Sequence, residues 1–217
     1  MYSKEYTNGV LPFHGHPFGD QQAQFDIRHN AIINYVVELP FGPGRRWASN
    51  ASELPGVLIG GWELSGITTF ASGPPFSVNI GFDRARQWTR TGGGGQRPDL
   101  ASGCSPNPVL GGPDQYFNGN CFLLPEAGFY GNLGPNTLIG PGLASFDVSV
   151  LKRFQLREEQ RLEFRSEFFN VLNHPNFDVP SAQTVFLTGG VRAAGAGRIT
   201  RTVTTSRQVQ FGLKFLF

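Results

Sequence analysis

The sequence of 217 residues has little of what marks most functional classes. No stretch approaches about 18 consecutive apolar residues, which excludes a transmembrane helix. The formal net charge is only +2, and no run of Lys or Arg predicts a nucleic-acid partner. Two cysteines cannot complete a four-ligand metal site, and nothing near His14 and His16 completes one either. We therefore expect no metal and no other cofactor.

The abundant residues are those of strands and turns. The chain has 29 Gly, 16 Pro and 20 Phe but only one Met. This composition suits many strands joined by long turns better than a helical bundle. We therefore predict an all-β fold.

The segment from Arg207 to Phe217 has the clearest pattern in the chain. Apolar side chains alternate along it and share one face: Val209, Phe211, Leu213, Phe215 and Phe217. The other face is mostly polar or small and includes Lys214. Eleven residues are about the length that a tilted strand needs to cross a bilayer. The pattern predicts a membrane-facing strand of an outer-membrane barrel, although an edge strand of a soluble sandwich also alternates.

Four further segments predict long strands with a charged face. They span residues 24–41, 58–72, 144–154 and 161–172. A charged face is costly in a dry core but is stable against a wet lumen. We therefore predict lumen-facing positions for the charged residues of these strands and of the last one: Asp26, Arg28, Glu38, Arg161, Glu163, Arg165, Glu167 and Lys214. Residues 158–172 also permit a helix, but their aromatic and β-branched continuation favours a strand.

Glu163 and Glu167 are the pair of carboxylates in the sequence that could act together in catalysis. On a strand they share a face but lie about 13 Å apart, which is too wide for glycosidase chemistry. The interleaved arginines indicate structural ion pairs instead. No arrangement of a nucleophile with a base was found elsewhere, so we expect the protein not to be an enzyme.

Two long connections separate these strands. Residues 79–143 are irregular and contain both cysteines, and residues 173–206 are rich in Gly and Thr. A disulfide between Cys104 and Cys121 would contribute about 3 kcal/mol and would fit an oxidising compartment. With alternating strand directions, the short links 42–57 and 155–160 fall on the periplasmic side and both long loops fall outside. This asymmetry is typical of outer-membrane barrels.

Several segments together resemble one family. They are FDIRHN at Phe25–Asn30, YVVELPFG at Tyr35–Gly42, GWELSGIT at Gly61–Thr68, EFRSEFFNVLNHPNF at Glu163–Phe177 and GRIT at Gly197–Thr200. With the last strand, they are similar to the C-terminal end of Oar-like TonB-dependent receptors, which often carry a carboxypeptidase-regulatory-like domain. The resemblance implies a plugged barrel of about 22 strands. It also implies energised uptake of a large or scarce substrate across the outer membrane.

The resemblance implies a set of partners as well. They are outer-membrane lipid, the barrel assembly machinery acting through the last strand, an unknown substrate, and the TonB complex through an N-terminal part not in this chain. We expect residues 1–217 to be a C-terminal fragment with about five long strands and two long outer loops, because the plug and a secretory signal are missing. Such a fragment would not transport alone. The alternative is a secreted or surface β-sandwich that binds a glycan.

Overall fold

A computed structural model of the chain describes residues 23–50, 53–86, 95–157 and 159–217. The chain divides into two compact units. The described residues of the first, here called the loop unit, are 23–29, 71–86, 95–143 and 176–203. Those of the second, here called the sheet unit, are 30–50, 53–70, 144–157, 159–175 and 204–217. His14 and His16 lie outside the described residues.

The described elements are almost all strands. In chain order they are β1 (Asn30–Glu38), α1 (Glu53–Ile59), β2 (Trp62–Ala71), β3 (Pro75–Phe76), β4 (Asn79–Ile80), β5 (Asp99–Leu100), β6 (Phe122–Leu123), β7 (Leu138–Ile139), β8 (Leu143–Gln155), β9 (Arg161–Phe169), β10 (Thr184–Leu187), β11 (Val191–Arg192) and β12 (Gln208–Leu216). Single 3-10 turns lie at Gly119–Cys121 and Thr188–Gly190. The all-β prediction is confirmed.

The sheet unit is built on five long strands in the order β1-β2-β8-β9-β12. Long strands that are consecutive in the chain are therefore neighbours in the sheet. The pairs β8/β9 and β9/β12 are antiparallel. The five predicted strands are all present, and β9 confirms the choice of a strand over a helix for residues 161–169.

Two predicted strands begin later than the alternation suggested. The strand predicted from residue 24 begins at Asn30, so Asp26 and Arg28 lie ahead of it, in the loop unit. The strand predicted from residue 58 begins at Trp62, because residues 53–59 form α1. A helix of seven residues has little stability of its own. Contacts with the rest of the sheet unit hold α1 in place, and these contacts leave no periodic signal in the sequence.

An asparagine turn ends β9 three residues earlier than predicted. Asn170 and Asn173 both adopt positive φ angles, 48° and 51°, which asparagine tolerates better than most residues. The buried Asn170 side chain donates to the carbonyls of His174 and Thr205, at 3.0 and 3.1 Å. The Asn173 side chain accepts from the backbone N–H of Arg207 at 3.0 Å. The turn therefore joins the end of β9 to the segment that leads into β12.

The loop unit has its own hydrophobic core, although residues 79–143 are largely irregular, as predicted, with strands of only two residues. Its short strands pair as β3/β7, β5/β6 and β11-β10-β4, and β4 runs parallel to β10. Aromatic and aliphatic side chains fill the interior: Phe76, Val78, Ile80, Tyr116, Phe117, Phe122, Leu133, Leu138, Val185, Phe186 and Ile199. The apolar residues come in ones and twos between Pro and Gly, which explains why no periodicity showed in the sequence.

A disulfide bond joins Cys104 and Cys121 inside the loop unit, with the two Cα atoms 5.7 Å apart. These are the two cysteines that the sequence offered for a loop-closing bridge. Cys121 is buried beside Phe122, whose ring meets that of Phe117 edge-on at 5.6 Å between centroids. The bridge therefore ties residues 101–104 to the edge of the aromatic core.

Candidate functional site

The register of β8, β9 and β12 separates the sheet into two faces. Val150, Ser166 and Phe211 are partners in the register across the three strands, and so are Lys152, Phe164 and Leu213. Because side chains alternate along a strand, every second residue from these positions shares their face. This apolar face contains the following side chains: Val148, Val150, Phe154, Leu162, Phe164, Phe168, Val209, Phe211, Leu213 and Phe215.

The opposite face is charged, and its charges alternate in sign from strand to strand. Arg153 on β8 lies 2.9 Å from Glu63 on β2 and 3.5 Å from Glu163 on β9. Lys214 on β12 is the register partner of Glu163. A row of Glu, Arg, Glu and Lys thus crosses four neighbouring strands. Isolated surface ion pairs contribute little to stability, but a connected row orients its members.

A second charged row lies further along the same face. Arg165 and Glu167 of β9 approach to 3.6 Å, and the Gln210 side chain of β12 donates to Glu167. Arg161 follows on the same face at the other end of β9, opposite Gln155. The structure therefore brings together Arg161, Glu163, Arg165, Glu167 and Lys214 on one face, as the alternation predicted.

The remaining charged candidates lie at the end of β1 or ahead of its start. Glu38 is the last residue of β1 and forms an exposed ion pair with Arg45 at 2.8 Å. Asp26 and Arg28 precede β1 and belong to the loop unit. The alternation that placed them on a strand continues past the true start of the strand, so it carries no information there.

The apolar face of β12 is open to the surroundings. Phe211 and Leu213 are each 70 % exposed, and Val209 and Phe215 are also exposed. Phe217 follows the strand and is 92 % exposed, with its ring 5.9 Å from that of Phe215. The Phe211 ring stacks on Phe164 of β9 at 6.1 Å. Contiguous exposed aromatics of this kind require an apolar environment or a partner.

Lys152 is the one charged residue of β8 on the apolar face, and it was not among the site residues predicted from the sequence. Its side chain is buried, and its Nζ donates to the carbonyls of Val57, at 2.6 Å, and Gly60. The same Nζ lies 5.5 Å from the Trp62 ring and 5.0 Å from the Phe154 ring. Lys152 thus binds the C-terminal end of α1, where free carbonyls attract a cation. A lysine among the alternating apolar residues of β8 was the signal in the sequence that could have identified it.

Two polar side chains of the loop unit, one buried and one partly buried, have shifted pKa values. The Tyr116 hydroxyl donates to the Ile139 carbonyl at 2.9 Å, and burial raises the pKa of Tyr116 to about 12. The Arg97 Nε donates to the Leu133 carbonyl at 2.8 Å, and burial lowers the pKa of Arg97. Both groups bond to backbone carbonyls, which indicates that they support the fold.

Over 23–50, 53–86, 95–157 and 159–217, no three or more His, Cys, Asp or Glu side chains are grouped so as to hold a metal ion. In that same part of the chain, no helix has the length and apolar character to span a membrane.

The comparisons with known proteins agree with this geometry. The model of the family described as "Outer membrane beta barrel domain" matches residues 10–210. No curated protein and no solved structure matches the chain. The family match covers β1, β2, β8, β9 and both long connections, and it ends at the third residue of β12.

Proposed function

We propose, since this chain belongs to the outer membrane β-barrel domain family and is located in the outer membrane, that it forms part of a TonB-dependent receptor of the Oar-like kind. In this proposal the five long strands are one segment of the barrel wall. The receptor takes up a large or scarce substrate with energy delivered by the TonB complex. The segments named above for the family resemblance support this class.

The division of the sheet into two faces carries the proposal. One face is apolar and exposed on β12, as a lipid-facing wall requires, and the other holds ion pairs across β2, β8 and β9. Alternation of an apolar outer face with a polar inner face is the pattern of outer-membrane barrels. We assign the row that contains Glu63, Arg153, Glu163 and Lys214 to the lumen wall.

The lengths of the connections support an orientation. The link between β8 and β9 covers residues 156–160, whereas 71 residues separate β2 from β8 and 38 separate β9 from β12. Short periplasmic turns and long outer loops are usual in such barrels. We therefore assign residues 156–160 to the periplasmic side and the loop unit to the outside, where it would meet the substrate.

A glycan-binding sandwich is less well supported. In a sandwich, each sheet buries its apolar face against a second sheet. Here the five strands form a single sheet, and Phe211 and Leu213 of its apolar face are exposed. The loop unit still provides a surface on which a substrate, including a glycan, would be recognised by the receptor.

Growth experiments in the bacterium that encodes the chain test the proposal. We expect deletion of the gene to abolish growth on low concentrations of one nutrient from a panel of ferric chelates, cobalamin, oligosaccharides and peptides. Growth on high concentrations should persist. Removal of the TonB complex should reproduce the loss for the same nutrient. Unimpaired uptake without the TonB complex would contradict energised transport.

The same proposal assigns an assembly role to β12, one of the two edge strands of the sheet. The exposed aromatic pair of Phe215 and Phe217 offers a contact for the outer-membrane barrel assembly machinery. We expect Phe217→Ala to lower the amount of barrel in the outer membrane, measured by surface labelling. Gln208→Ala, at the other end of the strand, is the matched control. Equal surface levels for the two variants would contradict this role.

A further inference from the structure

The last turn of the short helix α1 exposes three apolar side chains and buries its glycine. Val57, Leu58 and Ile59 are 52, 65 and 41 % exposed, whereas Gly56 is buried. Three consecutive residues cover about 200° of a helix surface at 100° per residue. Nearly the whole described outer surface of the last helical turn is therefore apolar, which is unusual for a surface that faces water.

The helix is held through its backbone and not through these side chains. Gly42, with a φ of 108°, packs so closely on Gly60 that an added Cβ would lie 2.5 Å from the Gly60 Cα. Lys152 binds the carbonyls of Val57 and Gly60, and the Trp62 indole N–H donates to the Leu58 carbonyl at 2.9 Å. These contacts fix the position of α1 and leave its apolar side chains free for another partner.

The contacts place α1 on the apolar side of the sheet. Lys152 shares its face with Phe154, Phe164 and Leu213, as the strand register shows. Lys152 is three residues from the end of β8, which is about 10 Å along the strand. The helix therefore covers the apolar face close to the short β8–β9 link, near one border of the lipid-facing surface.

The turn that precedes α1 has the residues of a membrane interface. Trp47 is 53 % exposed and its ring lies 5.2 Å from the Phe41 ring. Arg46, next to it, is also exposed. Trp is enriched where a membrane protein meets the headgroups, and Arg beside it suits the lipid phosphates. These residues and the exposed side chains of α1 all belong to the connection between β1 and β2.

We propose that the β1–β2 connection is an interfacial anchor that binds phospholipid at the border of the outer membrane. Val57, Leu58 and Ile59 enter the boundary between acyl chains and headgroups, and Trp47 and Arg46 lie at headgroup level. Lys152 acts as a positioning residue that holds α1 against the barrel wall. The inference rests on the membrane-facing assignment of the apolar face under the proposed function.

Phospholipid suits this surface better than a protein partner does. The exposed part of α1 continues the lipid-facing surface of β8 and β9, so a bound protein would compete with lipid at the same place. Its outermost apolar residues also follow one another along the chain. Interfacial helices of membrane proteins bury such a face about 5–10 Å into the bilayer border.

Tryptophan quenching by brominated phospholipid tests the anchor. The protein is purified from outer membranes and reconstituted in vesicles whose acyl chains carry bromine either near the glycerol end or near the methyl end. We expect the fluorescence added by Leu58→Trp to fall by about half with the shallow bromines and less with the deep ones. Phe211→Trp reports on the apolar face of the sheet, and Gln210→Trp on the opposite face serves as the unquenched control.

The outcomes separate the anchor from the proposed function. Quenching of Phe211→Trp without quenching of Leu58→Trp overturns the anchor and leaves the barrel wall in the membrane. Equal quenching of Phe211→Trp and Gln210→Trp overturns the membrane-facing assignment and the anchor with it. A photo-crosslinking amino acid at position 58 provides a second measurement in cells. A crosslink from this position to one defined protein would show that a protein, and not lipid, covers α1. That result would overturn the inference.

Discussion

The sheet unit and the loop unit differ in whether their phenylalanine side chains are exposed or buried. Phe117 of the loop unit is fully buried, whereas Phe211 of the sheet unit is 70 % exposed. The loop unit encloses its aromatics in one core, as a domain in water does. The sheet unit turns many of its large apolar side chains outward, so much of its stability depends on what surrounds it. One chain thus contains a part built for water and a part built for lipid.

The largest difference should appear when one phenylalanine in each unit is truncated. We expect Phe117→Ala to destabilise the loop unit by about 3–5 kcal/mol, because it leaves a cavity in a closed core. Phe211→Ala, the matched variant in the sheet unit, should change this stability little. Limited proteolysis in increasing urea measures the opening of the loop unit. Equal effects of the two variants would show that the two units do not differ in packing.

Removal of the disulfide should give the next largest difference in stability between the two units. We expect the double variant Cys104→Ser and Cys121→Ser to lose about 3 kcal/mol of loop-unit stability, since the bridge closes a loop of 17 residues. The amount of folded barrel, measured by its heat-modifiable migration in detergent, should stay the same. Loss of folded barrel in this variant would mean that the sheet unit depends on the loop unit for its assembly.

A charge placed on either face of β12 tests the lipid-facing part of the comparison. We expect Phe211→Arg to destabilise the inserted barrel by about 2–4 kcal/mol, the cost of a cation on the lipid face near the middle of a bilayer. Gln210→Arg on the opposite face should cost little. The fraction of folded barrel after urea titration in vesicles measures both. A similar cost for Gln210→Arg would contradict a wet, charged face.

The smallest predicted effect is a loss of loop-unit stability at alkaline pH. The phenol of Tyr116 titrates at 10.0 when unfolded and at about 12 in its buried place. Because the unfolded chain loses this proton first, the stability of the loop unit should be constant below pH 10 and fall as the pH rises from 10 to about 12. Tyr116→Phe should flatten this part of the profile, measured by proteolysis at each pH. An unchanged profile would assign the alkaline loss to other groups.

The sequence predicts the sheet unit well because the alternation of its strands depends only on residues that are neighbours in the chain. Alternation along Arg161–Phe169 and Gln208–Leu216 requires only the geometry of a strand, so the faces and their charges could be read before the structure was known. The same rule predicted the wrong strand starts ahead of Asn30 and Trp62. There the sequence alternates by chance, but the chain forms a turn and a helix. Whether Glu38 and Lys214 line a lumen depends on the closed barrel and stays a prediction.

The loop unit and α1 could not be predicted, because their contacts are distant in the sequence. Ile80 and Phe186 meet through a parallel pairing across more than a hundred residues. Lys152 reaches the carbonyl of Val57, 95 positions earlier in the chain. No local pattern encodes either contact. The pair Cys104 and Cys121 was the exception, because only two cysteines were available to join.

The parallel pairing of β4 with β10 means that the two long connections fold as one body. The first supplies Phe76, Val78 and Ile80 to the core, and the second supplies Val185 and Phe186. A graft that replaced only one connection with that of a relative would leave half of a core uncovered. Evolution and engineering must therefore exchange the two as a matched pair, and movement of one must carry the other with it.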